Sequence, residues 1–407
     1  MSQRLIIVGA GMAAAYLLQQ LAELGHELQV TVNGDELEAC YNRVLLSGVL
    51  AGETAATDLG MLDERTPGRA VNFMAGTRVA AVDHEGGTVL TECGKLLAYD
   101  KLVFATGASV ARPTMADGGV TGVEEFRTLE DARHLQTLAR KGGRAVVVGG
   151  GLLGLEAAHG LNTLGFETTV VHRQPYLMNR QLDEEGARQL QAELERAGIS
   201  FCLADAVAEL QTCRQVLTGV ALHAGTTLPC DLLLFATGIS PKASLAARAG
   251  LAVDRGILID PYMRTETAGI YALGECSQLG RSCFGLVAPI RDQARVLARE
   301  LLGIPGPGFA LEHWPTQLKI SGIDIYSAGE VDAAGEQLVL RDQRAGVYRR
   351  LVLRDGRLVG AVLVGDKRGG NWYSELIASG KNISEFRRGL IFGREVSKAV
   401  QLTARAA

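Results

Sequence analysis

Residues 144–173 read RAVVVGGGLLGLEAAHGLNTLGFETTVVHR, and this stretch decides the fold. An apolar run at residues 145–148 meets three consecutive glycines, a helical pattern follows, and a second apolar run at residues 168–171 closes the unit. About 30 residues is the length expected for a strand, a tight turn, a helix and a second, parallel strand. The sequence therefore predicts a nucleotide-binding βαβ unit.

Three glycines of this turn have separate roles. Gly149 permits the tight turn, Gly151 lets the backbone approach a pyrophosphate, and Gly154 lets the helix pack closely on the strand. The helix N-terminus at Leu152 and Leu153 offers unpaired N–H groups to the phosphate charge. The alternative is a glycine-rich turn of another α/β protein, but the flanking strand and helix patterns favour nucleotide binding.

Composition indicates an ordinary globular protein. The chain has 407 residues, 47% hydrophobic and 21% charged, which suits two or three domains. Its net charge of -4 gives no general case for nucleic acid or an anionic membrane as partner. Neither a signal peptide nor a stretch of about 20 apolar residues is visible, so we expect a cytoplasmic protein.

The seven cysteines show no CxxC or CxxxC spacing. This pattern fits neither an iron–sulfur cluster nor a zinc site, so we expect no metal on this chain. It suits reduced thiols in a reducing compartment, and each cysteine is expected to be a small core residue.

A second fingerprint, GAGMAA, follows the apolar run at residues 5–8. Flavin-dependent enzymes commonly place the FAD pyrophosphate loop at the N-terminus, so Gly9, Gly11, Met12 and Ala13 are candidate FAD contacts. The sequence therefore predicts two dinucleotides on one chain, FAD and a nicotinamide cofactor.

Candidate partners for the rest of FAD follow the next strand pattern, at residues 28–32. An acid about 20 residues beyond the loop can accept both hydroxyls of an adenosine ribose, and we favour Asp35 over Glu36, although either could be a turn acid. In the segment YNRVLLSG, Arg43 could lie against the flavin phosphates or form a surface salt bridge, and Ser47 is a further candidate contact.

An apolar strand followed by an Ala-Thr-Gly turn occurs twice, in LVFATGASVARP from residue 102 and in DLLLFATGISP from residue 231. Each copy is expected to mark a crossing between two nucleotide-binding domains. Residues 113–240 are therefore predicted to be an NAD(P)H-binding domain inserted between two parts, 1–112 and 241–305, of an FAD-binding domain. The turns supply further candidate cofactor contacts: Ala105, Thr106, Gly107, Ala236, Thr237 and Gly238.

After the second crossing, the segment YALGE ends in Gly274 and Glu275. A carboxylate at a strand's end can hold a flavin ribityl hydroxyl, and the alternative for Glu275 is an ordinary helix cap. A helix is predicted from about residue 288 to residue 302. Its N-terminus, at Val287 and Ala288, could face the pyrimidine ring of the flavin.

The Gly- and Pro-rich segment 303–309 marks a boundary. Beyond it, alternating strands that begin with LKISGIDIYSAG at residue 318, and a short helix at residues 372–379, predict a small α+β domain over residues 310–385. Residues 386–407 carry five basic residues against one acid. We predict a basic, solvated tail there, with docking of an acidic partner as the alternative.

Two fingerprints, two Ala-Thr-Gly turns and the strand YALGE together resemble the two-dinucleotide-binding flavoprotein reductases of the glutathione-reductase superfamily, over about residues 3–305. Six segments are similar to the FAD- and NAD(P)H-binding part of bacterial assimilatory nitrite and nitrate reductases: YNRVLLSG, GGGLLGLEAA, LMNRQLD, ATGISP, YALGECS and FGLVAP. The resemblance implies an α/β fold with two interleaved Rossmann-like domains and a small C-terminal α+β domain. In related reductases that domain often forms a subunit interface, so a homodimer is possible.

The resemblance implies electron transfer from NADH or NADPH through FAD to an iron–sulfur or other metal centre on a separate protein. Assimilatory nitrate reductase is the first candidate acceptor, and rubredoxin, a ferredoxin or a nitrite reductase component are the alternatives. Because the chain lacks the cysteine-rich cluster and sirohaem regions of the larger nitrite reductases, we expect that it does not reduce nitrite alone. A flavoprotein scaffold without turnover is the alternative from another class.

A few positions carry the details of the expected chemistry. Glu156 resembles the family glutamate beside the nicotinamide, with a first-turn acid of the helix as the alternative. Ser47 stands where related oxidases keep a redox cysteine, so the flavin is expected to be the terminal redox group. The second strand ends in His172 and Arg173, and Arg173 could accommodate a 2′-phosphate, whereas Gly154 and the nearest relatives favour NADH. The nicotinamide choice stays open, with NADH slightly ahead.

Overall fold

The computed structural model describes residues 2–62, 71–116, 118–140, 142–311, 315–317 and 322–406, with side chains described as far as residue 402. The chain forms two compact units. The first unit consists of Met1–Leu46, Ala55–Ala111 and Gly238–Leu311, and the second of Ser47–Thr54, Arg112–Thr237 and Glu312–Ala407. No helix in the described part of the chain is long and apolar enough to cross a membrane.

The first unit is built on a five-stranded parallel sheet. In spatial order its strands are Ile270–Ala272, Lys101–Phe104, Arg4–Val8, Gln29–Asn33 and Val71–Met74. The central strand is buried at four of its five residues, as expected of a parallel strand covered on both faces. The helix Met12–Leu24 buries Leu17, Leu18 and Leu21 on one face and packs against the helix Val287–Leu301.

Smaller elements complete this unit. Two three-stranded sheets consist of Val79–Asp83, Thr88–Thr91 and Leu96–Ala98, and of Ile257–Ile259, Ser277–Leu279 and Ser282–Cys283. Short helices lie at Arg43–Leu45, Leu46–Leu50, Ala56–Leu59, Ser244–Arg248 and Gly274–Cys276, and the second of these continues into the second unit.

The two segments that follow the Ala-Thr-Gly turns pair with each other. Ala108–Val110 and Ile239–Pro241 form an antiparallel ribbon in the first unit. Beside it, the N–H of Lys242 donates to the carbonyl of Gly107, over 2.9 Å. The chain passes between the units next to this ribbon, after Ala111 and before Gly238. The domain boundaries themselves stay a prediction.

The second unit contains another five-stranded parallel sheet. Its strands in spatial order are Ser200–Leu203, Glu167–His172, Arg144–Val148, Leu232–Phe235 and Val123–Glu124. The helix Leu152–Thr163 packs on two of these strands. Further elements are the helices Thr114–Ala116, Leu129–Ala139 and Glu184–Arg196 and the antiparallel strands Val207–Cys213, Val216–Leu222 and Thr227–Pro229.

The C-terminal part of the second unit is an antiparallel sheet covered by helices. Its strands in spatial order are Thr316–Gln317, Ile325–Gly329, Arg357–Val364, Val347–Arg354 and Glu336–Asp342. The helix Gly370–Ser379 packs on two of these strands and buries Tyr373 in their core. The first strand expected here began at residue 318, and residues 318–321 lie outside the described part of the chain.

The basic composition predicted a solvated tail over residues 386–407, and the structure differs at its beginning, which is buried, while most described residues beyond Leu390 are exposed. The chain continues as a turn, Ser384–Phe386, and two helices, Arg387–Leu390 and Arg394–Ala406. Phe386 and Leu390 are buried in the core of the C-terminal sheet. They stand four positions apart, so one turn of chain places both on the buried side while the two arginines between them stay exposed.

The cysteine prediction is correct for Cys40, Cys230 and Cys276, which are buried, and wrong for Cys93 and Cys213, which are exposed. Burial raises the pKa of the Cys40 and Cys230 thiols to about 12, so both stay protonated and unreactive at neutral pH. All seven cysteines are free. Within the described ranges, no group of three or more metal-binding side chains is found.

Leu390→Ala tests whether the C-terminal helices belong to the core. Leu390 is 0% exposed, so its truncation is expected to lower the free energy of unfolding by about 2–5 kcal/mol. Leu402→Ala is the matched control, because that side chain is 71% exposed and its loss should cost less than about 0.5 kcal/mol. Urea unfolding followed by the fluorescence of Trp372, which packs against the same core, measures both. Equal free energies of unfolding for the two variants would instead support the prediction that this segment is a solvated tail.

Candidate functional site

The N-terminal glycine loop, residues 9–14, is shaped by a close backbone contact. Gly9 has a φ of +115°, and a Cβ there would collide with the carbonyl oxygen of Ala105. Gly11 is the N-cap of the helix Met12–Leu24, with no side chain bonded to the helix end. The free N–H groups at this end and the small residues around it fit a bound pyrophosphate.

Arg43 lies beside this loop. Its Nε is 3.9 Å from the position that a Cβ of Gly11 would take, and its guanidinium pairs with Glu36. The guanidinium carbon also lies 4.9 Å from the centre of the Tyr41 ring. The salt bridge and the approach to the loop, which were alternatives from sequence, therefore occur together, and a phosphate contact stays a prediction.

The two candidate ribose acids have different partners. Asp35 is exposed, with its Oδ2 3.3 Å from Arg78 and 3.9 Å from Lys242. Glu36 accepts a hydrogen bond of 2.6 Å from the Tyr41 hydroxyl, besides its pairing with Arg43. Glu36 thus holds the arginine beside the loop, a role that sequence reasoning did not find. The ribose role of Asp35 stays a prediction.

The first Ala-Thr-Gly turn and the Gly-Glu pair come together in the first unit. A Cβ on Gly107 would lie 3.8 Å from Oε2 of Glu275. The N–H of Gly274 donates to Oε1 of Gln293 over 2.8 Å, and Gln293 is fully buried. Sequence reasoning missed Gln293, whose only signal is a polar residue on the apolar face of the helix Val287–Leu301. The Thr106 hydroxyl donates to the carbonyl of Lys242, over 2.6 Å.

The helix Val287–Leu301 begins one residue earlier than predicted. Its first residues, Val287 and Ala288, are half-buried, and its N-cap residue Leu286 makes no side-chain bond to the helix end. The structure therefore leaves this end available to a ligand group, as the prediction of a flavin contact requires.

The central glycine loop, residues 149–154, repeats the geometry of the first. Gly149 has a φ of +126°, and a Cβ there would collide with the carbonyl oxygen of Ala236, which begins the second Ala-Thr-Gly turn. A Cβ on Gly154 would collide with the carbonyl oxygen of Gly149. No heavy atom lies within 4 Å of a Cβ placed on Gly151, so there is room for a pyrophosphate above this position.

Among the other central candidates, the first helical residues Leu152 and Leu153 are half-buried and exposed, respectively. Thr237 and Gly238 of the second turn are both exposed.

Glu156 and Ser47 are brought together in the second unit. Glu156 is 6% exposed and Ser47 is 7% exposed, and the hydroxyl donates to the carboxylate with 3.5 Å between Oγ and Oε2. The first turn of the helix Leu152–Thr163 contains no acid, so the alternative reading of Glu156 as a first-turn acid is wrong. The pairing was not predicted, because the two residues are far apart in sequence.

The segment Ser47–Thr54 packs into the second unit, although it follows the FAD-side residue Arg43 in the chain. The Gln136 amide donates to the carbonyl of Val49 over 2.7 Å. A Cβ on Gly160 would lie 2.8 Å from the Leu50 side chain, so this glycine makes room for the segment.

The strand Glu167–His172 ends with two candidate residues that differ in environment. His172 is buried, and its Nδ1 accepts a hydrogen bond of 3.1 Å from the N–H of Gly150. It therefore contacts the loop itself, and its role as a direct cofactor contact stays a prediction. Arg173 is exposed, and no hydrogen bond or ion pair to it is found among the described residues.

The comparisons with known proteins agree with this geometry. Residues 3–294 match the family described as pyridine nucleotide-disulphide oxidoreductase, and residues 315–381 match the rubredoxin NAD+ reductase C-terminal domain. Nitrite reductase (NAD(P)H) of Bacillus subtilis (strain 168) is 37% identical over 94% of this chain and 48% of its own. The assimilatory nitrate reductase electron transfer subunit of that organism is 35% identical, over 90% and 48%.

Among solved structures, the ferredoxin reductase for the CYP199A2 system from Rhodopseudomonas palustris is 25% identical, with a TM-score of 0.81 over 89% of this chain and 91% of its own. It shares the fold, so the predicted α/β class is confirmed. The chain spans about half the length of the two curated relatives.

Both glycine loops lie inside the first family match, which covers most of the chain. Members of this family bind FAD and NAD(P)H, and the predictions of both cofactors and of an oxidoreductase are confirmed. Each loop ends at an uncapped helix N-terminus that fits a pyrophosphate. From residue 3 to residue 294, the chain belongs to the pyridine nucleotide-disulphide oxidoreductase family.

Proposed function

We propose that this chain transfers electrons from NADH or NADPH through FAD to a metal centre on a separate protein. The observation that carries the proposal is Ser47, a hydroxyl buried against Glu156 where a redox thiol would be needed. The nearby Cys40 is buried with a raised pKa, so it offers no thiolate. With no thiol relay, electrons leave from the flavin to an external acceptor.

The residues of the chain bind and orient the two cofactors in this proposal. The uncapped helix ends at Gly11 and Gly151 hold the two pyrophosphates, and Arg43 adds a positive charge beside the first. Glu275 holds a ribityl hydroxyl, and Glu156, oriented by Ser47, lies beside the nicotinamide. Bound FAD would supply acceptance of a hydride and release of single electrons.

Assimilatory nitrate reductase is the proposed acceptor, so the chain would act in nitrate assimilation. Support comes from the relative named as the electron transfer subunit of that enzyme. A rubredoxin or ferredoxin is the second candidate, favoured by the C-terminal match over residues 315–381. A homodimer formed through the C-terminal part is also a proposal.

The geometry supports NADPH more than the sequence did. Gly154 packs on the carbonyl of Gly149, so a glycine is required there by the backbone and does not favour NADH. His172 is turned into the loop, which leaves the exposed Arg173 as the first side chain past the strand that is free to meet a ribose. A cation without a carboxylate suits a 2′-phosphate.

Anaerobic stopped-flow reduction by NADH or NADPH, followed by mixing with air or ferricyanide, tests the electron-transfer role. We expect rapid bleaching, slow return of the flavin absorbance in air and fast return with ferricyanide. The rates at which purified nitrate reductase, rubredoxin and ferredoxin reoxidise the reduced flavin then rank the candidate acceptors. Fast return in air would indicate an oxidase instead, and no bleaching by either nucleotide would indicate a non-catalytic flavoprotein.

Arg173→Ala tests the 2′-phosphate contact. The loss of a charge-assisted contact is expected to lower kcat/KM for NADPH by about 10- to 100-fold and to change kcat/KM for NADH by less than about threefold. Arg196→Ala is the control, because Arg196 is exposed and pairs with Glu193 within its own helix. Steady-state kinetics with ferricyanide as acceptor give kcat/KM for both nucleotides in the wild type, the Arg173 variant and the Arg196 variant. An equal loss for both nucleotides would contradict the assignment.

Arg43→Ala tests the arrangement around the first loop. Removing the guanidinium deletes the proposed phosphate contact and leaves the Glu36 carboxylate without its cation, so the dissociation constant for FAD is expected to rise by about 10- to 100-fold. Arg4→Ala removes an exposed ion pair with Asp100 in the same unit and should leave FAD binding unchanged. Fluorescence of FAD released on dilution measures both, and unchanged retention in the Arg43 variant would place this arginine outside the site.

A further inference from the structure

The middle glycine of the central loop, Gly150, has no role in the nucleotide fingerprint, yet the structure leaves no room for another residue. A Cβ there would lie 2.7 Å from Cγ of His172 and 2.8 Å from Cδ2 of Leu177. The imidazole ring therefore lies directly against this residue. Each of the three consecutive glycines has its own reason: Gly149 makes the tight turn, Gly150 makes room for a histidine, and Gly151 leaves room for a pyrophosphate.

The peptide groups of Gly150 are held on both sides. Its N–H donates to Nδ1 of His172 over 3.1 Å, and its carbonyl accepts from the N–H of Met178 over 2.8 Å. Met178 has a φ of +47°, an unusual conformation for a residue with a side chain. The loop conformation thus depends on two contacts that lie outside the loop.

The hydrogen bond to Nδ1 fixes the protonation state of the ring. A histidine that accepts at Nδ1 is neutral and carries its proton on Nε2. A doubly protonated ring would turn an N–H toward the N–H of Gly150, and the bond would be lost. Burial lowers the pKa of His172 from its ordinary value, which keeps the ring neutral at physiological pH.

Other groups around the ring do not replace this contact. Arg173 adds a positive charge next in the chain, and the N–H of Asp205 donates to the carbonyl of His172 over 3.2 Å. The Asn179 side chain and the Tyr176 backbone favour the charged ring and raise the pKa of His172, but burial outweighs them and the pKa is lowered.

We propose that His172 is a positioning residue for the central glycine loop, and that the nicotinamide nucleotide binds tightly only while this imidazole is neutral. The inference rests on the proposed assignment of residues 149–154 to the nicotinamide pyrophosphate. Because Gly150 adjoins Gly149 and Gly151, a loop freed at Gly150 no longer presents the N–H groups of the helix end in one orientation. Two effects of protonation oppose each other, since the new positive charge attracts a pyrophosphate while the broken bond disorders its site. We expect loss of the bond to dominate, because the helix end presents its N–H groups in one orientation only while Gly150 is held.

Acidification is expected to lower the stability of the fold as well as the affinity for the nucleotide. The folded protein favours the neutral ring, so below a pH of about 6.5 the unfolded chain binds more protons than the folded one. Stability is therefore lost as pH falls, and the site weakens in the same range.

The test measures binding of NAD+ to the FAD-loaded full chain, by quenching of flavin or protein fluorescence, from pH 7.5 to pH 5.0. NAD+ is chosen because it has no 2′-phosphate that titrates in this range and does not reduce the flavin. Two variants separate the contributions. His172→Asn keeps an acceptor that does not titrate, and His172→Phe keeps a ring without an acceptor. His134→Asn removes an exposed histidine of the same unit as the control.

We expect the wild-type dissociation constant to rise about tenfold between pH 7.5 and pH 5.0, and that of the control variant to do the same. The Asn variant should bind within about threefold of wild type at pH 7.5 and show no pH dependence. The Phe variant should bind about tenfold more weakly at every pH. Flavin content and far-UV circular dichroism check that each variant is folded.

A flat wild-type profile, tighter binding on acidification or a pH dependence retained in the Asn variant would overturn the role of His172. Absence of binding of both NAD+ and NADP+ to the wild type at pH 7.5 would instead overturn the assignment of the loop to the nicotinamide nucleotide. If the Phe variant does not fold, the comparison of wild type with the Asn variant still decides the question.

Discussion

The fold depends on one backbone contact that occurs twice. In each parallel sheet, the first glycine of a nucleotide loop lies against the carbonyl of an alanine that begins an Ala-Thr-Gly turn, Gly9 against Ala105 and Gly149 against Ala236. No side chain can occupy either glycine position, and both glycines have positive φ values that other residues rarely adopt. A glycine loop and an Ala-Thr-Gly turn, although distant in sequence, therefore form one structural feature in each sheet. Each contact holds the end of one strand against the glycine loop that follows a neighbouring strand.

The loops and their strands could be predicted from sequence because their signals are local. Glycine spacing, apolar strands and a helical pattern lie within about 30 residues of one another. The placement of Ser47–Thr54 had no such signal. It depends on Leu50 filling the space left by Gly160 and on the amide of Gln136 reaching the carbonyl of Val49, contacts between residues far apart in the chain. The C-terminal helices were missed for a different reason. Five basic residues dominated the composition there, while two buried side chains, Phe386 and Leu390, decided the packing.

In the candidate site, sequence reasoning located the backbone elements better than the roles of individual side chains. His172 was a candidate cofactor contact at the end of the second strand, but a glycine at position 150 lets the ring turn inward against the loop. Glu36 was weighed as a ribose acid, and the structure has it holding Arg43. Gln293 was not considered, although it satisfies the N–H of Gly274 from inside the core. A hydrogen bond between distant elements depends on side-chain direction, and one sequence contains no record of that direction.

The residues that shape the fold and those proposed to select the reaction are different sets. Glycines 9, 149 and 154 are required by backbone contacts that any member of the family could share, whatever it reduces. Ser47, Glu156 and Arg173 take no part in those contacts. In the proposed function, a thiol in place of the Ser47 hydroxyl would change the path of the electrons, and a carboxylate in place of the Arg173 guanidinium would change the preferred nucleotide, while the backbone contacts of both loops would remain. A common framework can therefore serve disulphide reductases, oxidases and electron-transfer proteins, because the side chains that distinguish these activities are not the ones that hold the framework together.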